Sequence, residues 1–112
     1  MHIARLRVYL AGPYSKGDVE ANVASAIDAW HTLHDLGFSP FCPHLTHYLH
    51  LRKPLDYEAC MTWDFEWLSQ CEAVYRLPGE SPGADRESRF AEDRGIPVFT
   101  SIKKLAEFFQ EP

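Results

Sequence analysis

The sequence predicts an α/β fold: a small doubly wound parallel sheet of about four strands with helices on both faces. Three observations predict it. Short runs rich in β-branched and aromatic residues alternate with segments of helical periodicity along the chain. Capping residues punctuate those segments, with Asp18, Asp56, Ser81 and Ser101 at predicted starts and Gly37 and Gly95 at predicted ends. A helix is expected between successive strands throughout, which requires right-handed crossovers between parallel neighbours.

The first strand is expected over Arg5–Ala11, from Val8, Tyr9 and Leu10, and it runs into the turn-forming loop Gly12–Gly17. Asp18 caps a helix whose apolar stripe is Val19, Val23, Ala26, Ile27, Trp30 and Leu33. Phe38–Cys42 reads as a short strand, with its prolines flanking it or placing it at a sheet edge. His44, His47 and His50 follow at a spacing of three, with no carboxylate or cysteine close in sequence to complete a metal set. No metal site is therefore expected. His44 reads as a loop residue facing a ligand, His47 and His50 as surface histidines, and Leu51–Pro54 as a connecting loop.

Asp56 caps a helix running to about Gln70, with Tyr57, Cys60, Met61, Trp67, Leu68 and Cys71 on its apolar arc. Trp63 and Phe65 flank that arc, which either widens the core contact or marks a subunit interface. Glu72–Leu77 is the third strand and Gly95–Phe99 the fourth; Ser101 caps a last helix with Ile102, Leu105, Ala106 and Phe109 inward. The whole is expected to be one domain over residues 1–112, of the flavodoxin or Rossmann-like kind.

Composition bounds the function. The chain has 112 residues, 46% of them apolar, which suits one compact core. A net charge of −5 without a basic run argues against binding a nucleic-acid polymer, but not against a single nucleotide. Cys42, Cys60 and Cys71 form no CxxC, so free thiols in a reducing compartment are expected. No stretch suits a membrane span or a signal-peptide core, and a cytoplasmic location is the default expectation.

Ligands of such sheets bind beyond the carboxyl ends of the strands. Here those ends carry Gly12–Lys16, Pro43–His44, Leu77–Ser81 and Thr100. Between Leu77 and Glu87 the chain passes from strand through a Pro- and Gly-rich turn into a helix, with Ser81 as N-cap and Pro82 at the first helical position. This helix turns Ala84, Phe90 and Ala91 inward and Asp85, Arg86, Arg89, Glu92 and Asp93 outward. Glu87 falls in the middle of the apolar arc. A carboxylate there is paired, neutralised or used, and a buried Glu bonded to a backbone N–H or an arginine is the alternative to a catalytic one. Asp64 is a second carboxylate inside an apolar arc, that of the Asp56-capped helix.

Three segments resemble the nucleoside 2-deoxyribosyltransferase superfamily, which includes 2′-deoxynucleoside 5′-phosphate N-hydrolases and small uncharacterised relatives. Tyr9-Leu-Ala-Gly12-Pro-Tyr14 resembles its opening strand and loop, and Asp64-Phe-Glu-Trp67-Leu-Ser-Gln-Cys-Glu-Ala-Val74 its D-x-x-W-L-x-x-A-D-x-V segment. Ser81-Pro-Gly83-Ala-Asp-Arg-Glu87 resembles S-x-G-x-x-x-E, followed by Gly95-Ile-Pro-Val-Phe99. The resemblance implies Glu87 as nucleophile, Asp64 as the carboxylate assisting the leaving base, and Tyr9 as a tyrosine near both. It implies substrate contacts from Gly12, Tyr14, Ser15, Lys16, His44, Ser81 and Gly83, no cofactor, and a homodimer or higher homo-oligomer. Pro13 and Ser15 stand where the phosphate-binding hydrolases carry Ser and Arg, and Glu72 where the family more often has Asp.

The expected function is cleavage or transfer of an N-glycosidic bond in a nucleoside or nucleoside 5′-monophosphate. Two alternatives stand beside it: a non-catalytic nucleotide-binding or sensing domain on the same fold, and a structural protein whose two acids are hydrogen-bonded core residues.

Overall fold

The computed structural model describes residues 5–110. Its strands are β1 (Arg7–Ala11), β2 (Ser39–Phe41), β3 (Ala73–Arg76) and β4 (Val98–Phe99), joined in one sheet of order β2-β1-β3-β4 with every pair parallel. The helices are α1 (Val19–Asp35), α2 (Thr46–Arg52), α3 (Tyr57–Leu68), α4 (Pro82–Asp93) and α5 (Ile102–Phe108), with a single 3-10 turn at Pro43–Leu45. The α/β class and the four-stranded parallel sheet are as the sequence predicts.

Alternation along β1 distributes its side chains to two cores. Val8 and Leu10 pack with Ala26, Ala29 and Leu33 of α1, Leu105 of α5, and Ala73 and Leu77. Tyr9 and Ala11 pack on the other face with Leu68 of α3, Val74, and Ala84 and Ala91 of α4. Val8 through Ala11 are fully buried, as a central strand covered on both faces must be. Pro40 sits in β2, where the edge position tolerates a residue without an N–H. The chain leaves β1 for β2 on one side and builds β3 and β4 on the other. The carboxyl ends of β1 and β3 therefore border the topological switch point.

Caps act as the sequence implies. Asp18, Asp56, Ser81 and Ser101 each accept a hydrogen bond from the backbone N–H three residues on. Gly37 and Gly95 take positive φ, 100° and 74°, just past α1 and α4.

Two expectations need correction. Helix α2 runs through Leu51 and Arg52, where the sequence predicts the connecting loop Leu51–Pro54; no side chain caps it, and Leu45, Tyr48, Leu49 and Leu51 are exposed. On α3, Tyr57 and Trp67 lie about half exposed instead of in the core. The buried face of α3 carries Met61 and, against Ala84 and Ala91 of α4, Leu68, while Trp67 stacks on Phe41 and Tyr57 lies under the Arg86 guanidinium. Phe65 has its partner within the chain: it stacks on Phe90 of α4 at 4.4 Å.

Candidate active site

Packing of α3 against α4 brings the two inward carboxylates together. Phe65 lies on Phe90, and Arg86 of α4 pairs with Glu58 of α3 at 3.0 Å while its guanidinium covers Tyr57 and Phe65. Asp64 and Glu87 are sequence neighbours of those contacts and face the same cleft. Tyr9 reaches them from β1, and its hydroxyl donates to Glu87 Oε2 at 2.6 Å.

Burial governs the electrostatics. Glu87 is 5% exposed and Tyr9 is fully buried. Desolvation raises the Glu87 pKa well above the ordinary glutamate range, and the Asp64 charge raises it further; the Tyr9 hydrogen bond and the Arg76 charge oppose this. Asp64 is pushed up to about 6, again chiefly by desolvation, with hydrogen bonding from Glu87 and Tyr9 opposing. Burial and the two acids also raise the Tyr9 phenol well above its usual value, so it remains a donor. Two carboxyl groups so placed titrate as a pair, and burial holds both towards the protonated form.

The cleft they face has a volume of about 660 Å³. Gly12, Tyr14, Ser15 and Lys16 line it from the β1–α1 loop, His44 from the 3-10 turn, and Ser81 and Gly83 from the start of α4. Every sequence-predicted site residue except Tyr9 thus lines one cavity, and Tyr9 lies beneath it, bonded to Glu87. An open cleft reaching Glu87 and Asp64 also removes the main support for the structural alternative, a site closed to solvent.

Local details show how each is held. Ser81 is buried, and its Oγ accepts from Ala84 N–H at 3.1 Å, which leaves its own proton free to donate. Gly12 runs so close to β3 that a Cβ would meet Leu77 Cβ at 2.9 Å. Gly79 (φ 113°) lies against Pro13, where a Cβ would sit 2.8 Å from the proline ring. Lys16 is exposed and pairs with Glu80 at 3.3 Å across the mouth.

His44 is buried, and its Nε2–H donates to the carbonyls of Gly12 and Pro13 at 3.2 and 3.1 Å. Burial lowers its pKa, so the ring is neutral and holds the loop as well as lining the cleft. His47 is also buried, contrary to the surface position expected; Nδ1 shares a 2.7 Å hydrogen bond with the Tyr14 hydroxyl. The reason is α2, which turns His47 inward and its leucines outward.

Arg76 is the second residue that sequence reading missed. It donates to the carbonyl of Leu77 and to that of Gly79 at 2.9 Å, and pairs with Asp85 at 3.1 Å. It thereby ties the β3–α4 turn to α4. Its place on β3 next to Ala11, on the face that holds α4, was the available signal. Among the described residues, no group of three His, Cys, Asp or Glu side chains gathers as a metal-binding set. Cys42, Cys60 and Cys71 are free thiols.

The fold and its cleft are those of a switch-point α/β protein. The chain belongs to the family described as Domain of unknown function (DUF7768), whose family model matches residues 6–101. Among solved structures, a 2-deoxyribosyltransferase from Bacillus psychrosaccharolyticus is similar, with a TM-score of 0.61. Identity is 20%, and the match covers 82% of this chain and 69% of that one. The likeness is one of fold. No curated protein matches the sequence significantly.

Proposed function

We propose that the chain cleaves or transfers the N-glycosidic bond of a nucleoside or nucleoside 5′-monophosphate. The observation that carries this reading is the meeting of Glu87 and Asp64, from different helices, in one cleft above the Tyr9 hydroxyl. Likeness of fold to a 2-deoxyribosyltransferase supports the same class of reaction.

Tyr9 engages Glu87 Oε2, which leaves Oε1 as the attacking oxygen. As Oε1 bonds to the anomeric carbon, the carbon–nitrogen bond breaks and its electron pair passes to the base. A proton from Asp64 compensates that charge. Positive charge developing on the sugar favours the ionised form of Glu87 that burial alone disfavours, so substrate favours the state with Glu87 ionised and the proton on Asp64. The ester at Glu87 is then resolved by water, whose proton Asp64 takes back, or by a second base. No metal or organic cofactor enters either step. Gly12, Tyr14, Ser15, Lys16, His44, Ser81 and Gly83 form the substrate's surroundings.

The chain acts as one catalytic domain over residues 1–112 and as a homodimer or higher homo-oligomer. The half-exposed aromatic and aliphatic side chains Tyr48, Leu49, Leu51, Tyr57 and Trp67 support the latter. The test is free-base release from a panel of nucleosides and 5′-monophosphates, with and without a second base, against a Glu87→Ala control. Release that depends on Glu87 is expected, and a new nucleoside formed from the added base identifies a transferase. Nucleotide binding without turnover would instead identify a sensing domain.

A further inference from the structure

We propose that His47, which lies behind the cleft wall rather than on it, is the positioning residue for Tyr14 and thereby sets how tightly substrate is held. This rests on the reading of the cleft as a nucleoside site.

Two histidines of one short segment act on one loop. His44 fixes the loop's backbone through the carbonyls of Gly12 and Pro13. Asn22 fixes it from the other side, donating to the carbonyls of Tyr14 and Lys16 at 2.8 Å each. The Tyr14 side chain remains, and it lines the cleft. The one hydrogen bond of its hydroxyl among the described residues goes to His47 Nδ1 at 2.7 Å, and the rings meet edge to face at 5.5 Å. The His47 side chain is 10% exposed, and its Nε2 lies 4.0 Å from Glu20 Oε1 on α1. That glutamate is itself exposed and too far for a hydrogen bond, so the Tyr14 contact is what sets the roles: a phenol hydroxyl donates to Nδ1 when the ring proton sits on Nε2. Nδ1 is then an acceptor, so the Tyr14 hydroxyl donates to it and turns its oxygen lone pairs to the cleft. Among the described residues, neither side chain hydrogen-bonds Glu87 or Asp64: Glu87 is held by Tyr9, and Tyr14 by His47. Loss of the contact is therefore a loss of binding, felt equally in ground and transition states.

The experiment compares KM and kcat for wild type, His47→Phe, His47→Asn, Tyr14→Phe and the Tyr14→Phe/His47→Phe double variant, on the nucleoside that wild type turns over best. His47→Phe should raise KM about threefold to tenfold, the worth of one hydrogen bond, with kcat within about twofold. His47→Asn, which keeps a polar group at the Nδ1 position, should recover most of the loss. The double variant should be no worse than Tyr14→Phe alone, because both remove the same interaction. An unchanged KM in His47→Phe, or additive losses in the double variant, would overturn the proposal. In parallel, nitrogen-15 histidine spectra of the free protein read the bond without substrate: Tyr14→Phe should shift the His47 Nδ1 resonance and leave that of His44 in place. An unmoved His47 resonance would overturn the proposal as well. Wild type that neither binds nor turns over any nucleoside would overturn the reading of the cleft and with it the effect on KM, while the spectra decide separately whether His47 holds Tyr14.

Discussion

At the scale of the residue, the site is a problem of burying charge. Glu87 and Asp64 stand where the helix pattern calls for apolar side chains, and each pays in a raised pKa. Stability follows with a definite sign. The folded Asp64 binds its proton more tightly than the unfolded chain does, so its favourable contribution is complete below the ordinary value of 3.8 and is lost as pH rises to about 6. Asp64→Asn removes that loss. Thermal unfolding should show the variant more stable than wild type at pH 8, by on the order of 1–2 kcal/mol given the residual solvent contact, with a smaller difference at pH 4. The same substitution should lower base release by about 100-fold or more, since a general acid is lost. Tyr9→Phe removes a donor to Glu87 and so raises the Glu87 pKa further. The acid limb of the rate profile should move to higher pH, with kcat down about tenfold to a hundredfold, as for a hydrogen bond to a charged group.

At the scale of the element, Gly12 and Gly83 both line the cleft, but only Gly12 is also crowded by the fold. Gly12→Ala drives a Cβ into Leu77 at the junction of β1 and β3, and should cost about 1–3 kcal/mol in chemical denaturation. A Cβ at Gly83 meets the Tyr57 hydroxyl at 3.5 Å, an ordinary contact. Gly83→Ala should therefore leave the midpoint nearly unchanged while raising KM, because the methyl group occupies the cleft. Equal destabilisation by the two would contradict this distinction. Legibility also varies by element. α1 and α4 are readable because side-chain caps, apolar periodicity and a closing glycine all agree. α2 is not: no side chain caps it, and its leucines face outward, so the pattern signals nothing about a core. His47 went with it. Glu87 and Asp64 are legible because charge interrupts an apolar arc, whereas a tyrosine on a strand reads as core, and only family resemblance implied a role for Tyr9. The Tyr14–His47 bond joins residues 33 positions apart and has no local signature.

At the scale of the whole molecule, a sheet ordered β2-β1-β3-β4 opens its switch point between β1 and β3. The β1–α1 loop and the β3–α4 turn meet there, with Gly79 packed against Pro13 and the exposed Lys16–Glu80 pair beside it. α3 supplies the second acid only because it packs on α4. Side chains exposed on α2 and α3 should be covered by a second copy, so sedimentation in dilute buffer should give at least twice the chain mass, and Leu49→Glu should shift it towards the monomer. A wild-type protein that stays monomeric at tens of micromolar would contradict the proposed assembly.

The central claim is that Glu87 is kept at a cost to the fold because the reaction needs it. Comparing Glu87→Gln with wild type, on the best nucleoside substrate and in thermal unfolding at pH 8, tests this most directly. Base release should fall by about a thousandfold or more while the unfolding temperature holds or rises, since the amide keeps an acceptor for Tyr9 and removes the buried charge. A variant that still releases base at the wild-type rate, or one that loses stability instead of activity, would make Glu87 a structural residue and contradict the account.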